Sequence, residues 1–175
     1  MTRGAVLILG GARSGKSRYA EEVARNSGLR RIYIATAQAL DEDMRERIDA
    51  HLARRDGSWT NVDAPYDLVG SLKKRTGEDS AVLVDCLTLW LSNHLLNDSD
   101  IDLECQRLAG CAAALPGLVV FVSNEVGSGI VPDNALGRRF RDAQGRLNQM
   151  MAQVCGTVAL VVAGLPTILK GNQPI

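Results

Sequence analysis

The fold is decided by the stretch Ala5-Val6-Leu7-Ile8-Leu9-Gly10-Gly11-Ala12-Arg13-Ser14-Gly15-Lys16-Ser17. It begins as a short apolar strand and continues as G-x-x-x-x-G-K-S, the phosphate-binding P-loop. Glycines let the backbone turn tightly with positive φ, so that its N–H groups can converge on phosphate oxygens. Helix-forming residues 18–24 follow directly, and the N-terminal dipole of such a helix attracts an anion to the same place. This context favours a nucleotide-binding loop over a glycine-rich turn that binds nothing.

The loop itself supplies the first predicted site residues. Lys16 can reach the β- and γ-phosphates as a point charge, and the hydroxyl of Ser17 can coordinate Mg²⁺. We therefore predict Mg²⁺ with GTP or ATP as the bound group and Lys16 as a catalytic residue. The predicted nucleotide-binding residues of the loop are Gly10, Gly11, Ala12, Arg13, Ser14, Gly15, Lys16 and Ser17.

Composition narrows the class of protein. A chain of 175 residues with 46% hydrophobic residues predicts one domain, over residues 1–175, with a full core. The formal net charge is zero, so no basic field favours nucleic acid as a partner. Apolar runs such as Leu118–Val122 are too short to span a membrane. The first apolar run ends in the P-loop rather than at a cleavage site, so we expect a cytoplasmic protein.

The cysteines predict no metal site. Cys86, Cys105, Cys111 and Cys155 are scattered, and no C-x-x-C pair occurs. Zinc sites require closely spaced ligand pairs. We expect these thiols to be small buried hydrophobic groups.

Predicted strands and helices alternate along the chain. Strands are predicted at 5–9, 31–35, 80–86, 118–123 and 157–163, with a short extended piece at 59–63 and a hairpin strand at 167–170. Helices are predicted at 16–27, 41–55, 66–75, 87–96, 102–115 and 135–154. This alternation predicts a mostly parallel central sheet with helices on both faces and right-handed crossovers. The fold class is thus α/β, the three-layer architecture of RecA-like P-loop NTPases.

Polar residues follow several predicted strands, at the sheet edge where ligands bind in open α/β folds. The second strand leads into Thr36-Ala37-Gln38, and the fourth ends in Asp85. An acid in that position is the Walker B layout, which holds Mg²⁺ directly or through water. The alternative is that Asp85 caps the helix 87–96, and both roles are compatible. The Gly-rich loop 124–134 leaves the sheet at the same edge.

One of the two histidines is a candidate nucleophile. Since imidazole has an unperturbed pKa of about 6.5, it is mostly neutral at pH 7. The positive charges of Arg47, Arg54 and Arg55 would favour the neutral form of His51 and attract phosphates. Neutral imidazole can attack phosphorus and form a phosphoramidate. The alternative, a border histidine beside a solvated arginine face, stays open on spacing alone. His94 lies in a mostly apolar helix and is expected in the core or in a subunit contact.

Several motifs, in order, resemble those of one family. They are the P-loop with its Ala12-Arg13-Ser14 centre, Tyr33–Ala37, Arg47-Ile48 with His51, Arg55 and Trp59, and a block from Asn124-Glu125-Val126-Gly127 through Gly129, Val131-Pro132, Arg138, Phe140-Arg141-Asp142 and Gly145 to Asn148-Gln149. The chain thereby resembles the bifunctional adenosylcobinamide kinase / adenosylcobinamide-phosphate guanylyltransferase family of cobalamin biosynthesis. The resemblance covers nearly the whole length.

The resemblance implies a function and further site residues. His51 would be guanylylated by GTP, and the substrates would be GTP, ATP, adenosylcobinamide and its phosphate. It also implies a homotrimer with active sites near the subunit interfaces. The further residues implied to line the nucleotide site are Ala35, Thr36, Ala37, Leu52, Ala53, Arg54, Arg55, Asp63 and Asp85.

The sequence departs from the family pattern at a few positions. Asp56 stands where Pro is frequent, Asn61 and Asp63 replace Thr and Glu, and Asp85 replaces a Glu found in some relatives. The shorter Asp63 weakens the expectation of a nucleotide contact there. One alternative is therefore an enzyme with kinase activity alone. Another is a P-loop nucleotide switch or RecA-like ATPase acting on a macromolecule.

Overall fold

The computed structural model describes residues 4–38, 42, 45 and 57–174. Its strands are β1 (Gly4–Gly10), β2 (Arg30–Ala35), β3 (Trp59–Asp63), β4 (Ser80–Asp85), β5 (Leu118–Asn124), β6 (Thr157–Val162) and β7 (Leu165–Lys170). Its helices of eight or more residues are α1 (Lys16–Asn26), α2 (Leu68–Arg75), α3 (Leu87–Leu96), α4 (Ile101–Ala112) and α5 (Ala135–Val154). Within this part of the chain, no helix is both long and apolar enough to cross a bilayer.

The strands form one sheet in the order β3-β2-β4-β5-β1-β6-β7. All neighbouring pairs are parallel except β6 with β7. The predicted mostly parallel sheet and the terminal hairpin are therefore confirmed, although β7 begins at residue 165 rather than 167. Parallel pairing brings the carboxyl ends of β1 to β6 to one edge of the sheet, which is where the P-loop, Asp63 and Asp85 lie.

Helices cover both faces of this sheet, as expected. The side chains of Leu7 and Leu9 pack into a core with α2, α3, α4 and α5. Those of Val6 and Ile8 pack into a second core with α1. This division follows from the two-residue period of a strand, and each fully buried aliphatic side chain contributes about 1.5–3 kcal/mol.

Two of the predicted helix starts are displaced by capping side chains. Asp67 accepts a hydrogen bond from the N–H of Gly70 at 2.9 Å, so α2 begins at Leu68 and not at residue 66. Asp100 accepts from the N–H of Leu103 at 3.0 Å, so α4 begins one residue earlier than predicted, at Ile101. An N-cap carboxylate satisfies a helix N–H group that otherwise has no partner.

The second histidine is a core residue, as expected. His94 is 7% exposed and packs edge-on against the rings of Trp90 and Tyr66. Its ring nitrogens lie 3.0 Å from Ser99 Oγ and 3.3 Å from the Tyr66 carbonyl oxygen. Both nitrogens are therefore engaged in structural contacts.

The cysteines are free and mostly buried, which confirms their assignment as small hydrophobic groups. Cys86, Cys105 and Cys155 are buried, and Cys111 is half-buried. Burial raises the pKa of the Cys155 thiol to about 12, so this sulfur stays protonated at neutral pH.

Candidate nucleotide site

The P-loop has the predicted strand–loop–helix context. β1 ends at Gly10 and α1 begins at Lys16. Between them the chain passes through the left-handed region twice, at Arg13 with φ 56° and at Gly15 with φ 94°. The N–H of Ser14 donates to the Gly11 carbonyl at 3.3 Å. Alternation of right- and left-handed residues makes a concave nest of backbone N–H groups that suits a phosphate.

The terminal hairpin supports the P-loop from the side. The N–H of Gly164, in the β6–β7 turn, donates to the Ser14 carbonyl at 2.8 Å. A Cβ on Gly10 would lie 2.6 Å from the Val161 carbonyl oxygen, and one on Gly15 would lie 3.0 Å from Gly164 Cα. The glycines of the motif therefore serve the packing of β6 as well as the phosphate. Sequence reasoning missed this contact because it joins residues about 150 positions apart.

Lys16 lies between the loop and the end of β4. Its ammonium donates to the Gly11 carbonyl at 3.0 Å. Burial lowers the pKa of Lys16, while the negative charge of Asp85 acts in the opposite direction. The Asp85 carboxylate at the end of β4 is therefore near the P-loop cation, and its role as a Walker B ligand of Mg²⁺ stays a prediction.

Asp85 is oriented from the neighbouring strand. The hydroxyl of Tyr33 donates to Asp85 Oδ2 at 3.0 Å. The N-cap position of α3 is taken by Cys86, whose side chain makes no capping hydrogen bond, so the alternative that Asp85 is the N-cap residue is wrong. The peptide bond between Asp85 and Cys86 is cis. Sequence reasoning did not single out Tyr33, although its place two residues before Ala35 puts it on the same face of β2.

Thr36, which directly follows β2, makes hydrogen bonds within the protein that the sequence did not predict. Thr36 is fully buried, and its hydroxyl donates to the Cys86 carbonyl at 2.7 Å and accepts from the Cys86 N–H at 3.0 Å. Its carbonyl accepts from Asn93 Nδ2 at 2.8 Å. Thr36 therefore ties β2 to the end of β4, whereas Ala35 and Ala37 are half-buried. A nucleotide contact by any of the three stays a prediction.

Two predicted carboxylates flank Ala35 in the sheet. Ala35 is in register with Asp63 on β3 and with Asp85 on β4. The side chain of Asp63 is exposed at this edge. The two carboxylates therefore lie at the same level of the sheet, two strands apart.

The predicted histidine motif lies outside the described residues. Of the helix predicted at 41–55, only Glu42 and Arg45 are described; both are helical and form an ion pair at 3.1 Å. The predicted site residues for which no position is described are His51, Leu52, Ala53, Arg54 and Arg55.

The exit of β5 belongs to the same edge and was not assigned to the site by sequence reasoning. Asn124 is in register with Gly10, and the N–H of Glu125 donates to the Gly10 carbonyl at 3.1 Å. The N–H of Asn124 donates to Thr88 Oγ1 at 2.8 Å, and its carbonyl accepts from Asn148 Nδ2 at 3.0 Å. The start of the P-loop and the β5 exit are thus held together.

Three buried polar side chains stand behind this exit. Ser123 Oγ donates to Asn148 Oδ1 at 2.7 Å, and Gln144 Nε2 lies 2.9 Å from Ser123 Oγ and 3.0 Å from Asn148 Oδ1. Ser123 and Gln144 are fully buried, and Asn148 is 6% exposed. A signal was present in the sequence, because two amide residues four apart interrupt the apolar face of α5 formed by Leu147 and Met151.

The residues at this edge fit a Mg²⁺–nucleotide. Mg²⁺ in phosphate sites takes one or two protein oxygens and completes its shell with phosphate and water. The hydroxyl of Ser17 and the carboxylate of Asp85 supply such a pair. Ser14 Oγ, inside the loop, is buried and has no hydrogen-bond partner within the described part of the chain, which leaves a polar atom for a ligand.

Comparison with known proteins identifies the family. The sequence profile of the family described as cobinamide kinase / cobinamide phosphate guanyltransferase matches residues 6–169. The chain belongs to this family. The resemblance derived from the motifs is therefore confirmed, and the family's P-loop is the one built by β1 and α1.

Two named proteins are similar in sequence to this chain over most of its length. The chain is 50% identical over 168 residues to the bifunctional adenosylcobalamin biosynthesis protein CobP of Pseudomonas aeruginosa, covering 95% of this chain and 97% of that one. It is 38% identical over 180 residues to the corresponding protein CobU of Salmonella typhimurium, covering 94% and 99%. The kinase / guanyltransferase family thus matches this chain over its length.

A solved structure shares the fold at low sequence identity. The flagellar accessory protein FlaH of Methanocaldococcus jannaschii superposes with a TM-score of 0.54 and 12% identity, covering 98% of this chain and 80% of that one. This likeness bears on the fold alone. Together with the sheet and the P-loop, it confirms the predicted P-loop NTPase fold for this member of the family.

Proposed function

We propose that this chain phosphorylates adenosylcobinamide with ATP or GTP and then transfers GMP from GTP to the product, giving adenosylcobinamide-GDP. The observation that carries the proposal is the P-loop between β1 and α1 in a chain whose family profile spans residues 6–169. The description of the family names both activities, and the two relatives are named as bifunctional proteins of adenosylcobalamin biosynthesis. Family membership favours this enzyme over a nucleotide switch or an ATPase acting on a macromolecule.

The first step is phosphoryl transfer. The backbone N–H groups of residues 11–15 and the Lys16 ammonium would hold the phosphates and neutralise charge on the transferred group. Mg²⁺ held by Ser17 and Asp85 would supply further charge neutralisation. Positioning is the main requirement of this chemistry, and the contacts of Gly10, Ser14 and Glu125 help to fix the position of the loop.

The second step is nucleotidyl transfer through His51. The neutral imidazole attacks the α-phosphorus of GTP, a new N–P bond forms, and pyrophosphate leaves with the electron pair. A phosphate oxygen of cobinamide phosphate then attacks the same phosphorus and releases the imidazole. Residues 52–55, Asp63 and Ala35–Ala37 would line this nucleotide pose, with Asp63 exposed at the end of β3.

The covalent step can be tested directly. Wild-type protein incubated with Mg²⁺ and GTP labelled with ³²P at the α-position is expected to take up one acid-labile, base-stable label and to gain the mass of one GMP. The His51→Ala variant is expected to take up none. Equal labelling of this variant would contradict the assignment of His51. Phosphate transfer by the wild type without any GMP adduct would instead indicate kinase activity alone.

The assembly and the location of the protein stay predictions. A homotrimer rests on the family resemblance and is compatible with exposed apolar side chains such as Ile130 (97% exposed) and Leu165 (72% exposed). Sedimentation velocity is expected to give the mass of three chains. A monomer at micromolar concentration would contradict the trimer. A cytoplasmic location is likewise a proposal.

A further inference from the structure

Glu125 occupies a distinct place at the nucleotide edge of the sheet. Asp85 is in register with Val122 on β5, so Glu125 lies three residues farther along the chain than the level of Asp85. Its N–H continues the pairing of β5 with β1 through the Gly10 carbonyl. Glu125 is therefore beside the first residue of the P-loop and lies farther beyond the carboxyl edge of the sheet than Asp85.

The order of the strands places Asp63, Asp85 and Glu125 at different distances from β1, the strand that leads into the P-loop. Neighbouring strands lie about 4.8 Å apart. In the order β3-β2-β4-β5-β1, the strand of Asp63 is four spacings from β1, which is about 19 Å. The strand of Asp85 is two spacings away, about 10 Å, and that of Glu125 is one, about 5 Å. Glu125 thus follows the strand adjacent to the P-loop strand.

The Glu125 carboxylate is held in place by one of its oxygens and is open at the other. Oε1 accepts a hydrogen bond from the N–H of Gly127 at 2.6 Å. Oε2 makes no hydrogen bond or ion pair to any residue within the ranges that the structure describes, and the side chain is partly exposed. The neighbouring Asn124 Oδ1 is buried and also lacks a partner within these ranges. A fixed carboxylate oxygen and an unpaired amide oxygen therefore adjoin the phosphate loop.

Buried side chains behind β5 hold the backbone that carries the Glu125 carboxylate. Burying amide and hydroxyl groups costs free energy unless they are hydrogen-bonded. Ser123, Gln144 and Asn148 are bonded to one another, and Asn148 also holds the carbonyl of Asn124. This network fixes the backbone immediately before Glu125, as a reacting group needs.

Phosphoryl transfer to a hydroxyl needs a proton acceptor. Lys16 and the backbone N–H groups of the loop are donors, and Asp85 already accepts from Tyr33. We propose that Glu125 is the catalytic base of the kinase step, which rests on the function proposed above. Its Oε2 accepts a hydrogen bond from the acceptor hydroxyl and takes the proton as the O–H bond breaks. The hydroxyl oxygen bonds to the γ-phosphorus, and the nucleoside diphosphate leaves with the electron pair of the broken P–O bond.

Glu125→Gln separates this chemical role from a structural one. Its amide oxygen can still accept from the Gly127 N–H, so the loop keeps its hydrogen bond, but the amide cannot take a proton. General-base catalysis contributes about 10²–10⁴-fold, so kcat for phosphorylation of adenosylcobinamide is expected to fall by that factor. Nucleotide affinity and the rate of GMP incorporation from GTP are expected to change by less than about twofold, because neither step needs this base. Asp133→Asn, at an exposed position of the same loop, is the matched control and is expected to keep wild-type kcat.

A second variant tests the carboxylate itself. Glu125→Ala leaves space for a small acid, so added formate is expected to raise its kinase rate, but not that of Glu125→Gln. The proposal is overturned if Glu125→Gln keeps kinase kcat within about threefold of wild type, or if its kinase and GMP incorporation fall together. Lack of rescue by formate would also count against it. Wild-type protein that neither phosphorylates adenosylcobinamide nor forms a GMP adduct would overturn the proposed function, and the role of Glu125 with it.

Discussion

Two adjoining parts of the nucleotide edge are built in different ways. The P-loop is shaped by contacts between residues close in sequence, such as the Lys16 and Ser14 hydrogen bonds to the Gly11 carbonyl. The β5 exit, residues 123–127, is held by side chains of α5 that lie 21 to 25 residues farther along the chain. The first part is recognisable from a short motif, whereas the second becomes visible only after folding.

The two parts meet at one hydrogen bond, from the Glu125 N–H to the Gly10 carbonyl. We propose that the two parts have separate roles. The P-loop binds the nucleotide, whereas the side chains of α5 position Glu125, the proposed base that acts on the acceptor hydroxyl. Variants that affect one part and leave the other intact test this division.

The largest effect is expected from removing the P-loop cation. Lys16→Met keeps the length of the side chain but loses its charge, so kinase kcat/KM is expected to fall about 10²–10³-fold, the usual effect of losing one group that stabilises a transition state. Steady-state kinetics measure this loss. Lys73→Met, at an exposed position on α2, is the control. A decrease below about tenfold would contradict the assigned role of Lys16.

The Lys16→Met variant also tests whether phosphoryl transfer and GMP transfer use the same nucleotide site. If it does, Lys16→Met is expected to slow the formation of the GMP adduct as well. Unchanged labelling from GTP would indicate that His51 meets GTP in a pose without the P-loop lysine.

A middle-sized effect is expected from the network behind β5. Asn148→Leu removes the acceptor of the Ser123 hydroxyl and the Nδ2 donor to the Asn124 carbonyl, and an unpaired buried polar group costs about 1–3 kcal/mol. The free energy of unfolding in urea is expected to fall by that amount, and kinase kcat to fall with nucleotide affinity kept. Gln153→Leu, at an exposed position of the same helix, is the control. Loss of nucleotide affinity without loss of stability would contradict the separate roles of the P-loop and the β5 exit.

The smallest effect is expected at Tyr33. Tyr33→Phe removes the hydroxyl that donates to Asp85 Oδ2, and one such hydrogen bond contributes about 0.5–1.5 kcal/mol. The affinity for Mg²⁺ with nucleotide, measured by calorimetry, is therefore expected to fall about two- to tenfold. Tyr66→Phe serves as the control, because the hydrogen bonds at Tyr66 use its backbone carbonyl. Equal losses in both variants would show that Tyr33 does not act through Asp85.

Much of the fold was predictable because its signals are local. The helix α5 has the predicted limits, since Asn134 caps it and Cys155 leaves the helical conformation just before Gly156. Strand β4 was recognised as a buried apolar run ending in an acid, and Asp85 lies near enough to Lys16 to raise the pKa of that lysine. The helix starts at Leu68 and Ile101 were less accurate, because each depends on which polar residue supplies the cap.

Other features could not be read from spacing. A nucleotide contact by Thr36 stays a prediction, but spacing did not indicate that its hydroxyl bonds to the backbone of Cys86, just after the neighbouring strand β4. Asn124 and Glu125 were noticed in a polar loop, yet their place beside Gly10 depends on the pairing of β5 with β1. A sequence pattern shows which face a residue takes within its own element, not which strand becomes its neighbour.

The sequence by itself determined the phosphate-binding loop, the alternation of strands and helices, and through ordered motifs the family. Each of these depends on backbone preferences and hydrophobic periods within about 20 residues. Only the tertiary structure decided that the β6–β7 turn supports the loop, that Tyr33 donates to Asp85, and that α5 holds the backbone at the end of β5. These contacts join residues distant in the chain, and sheet order and packing bring them together.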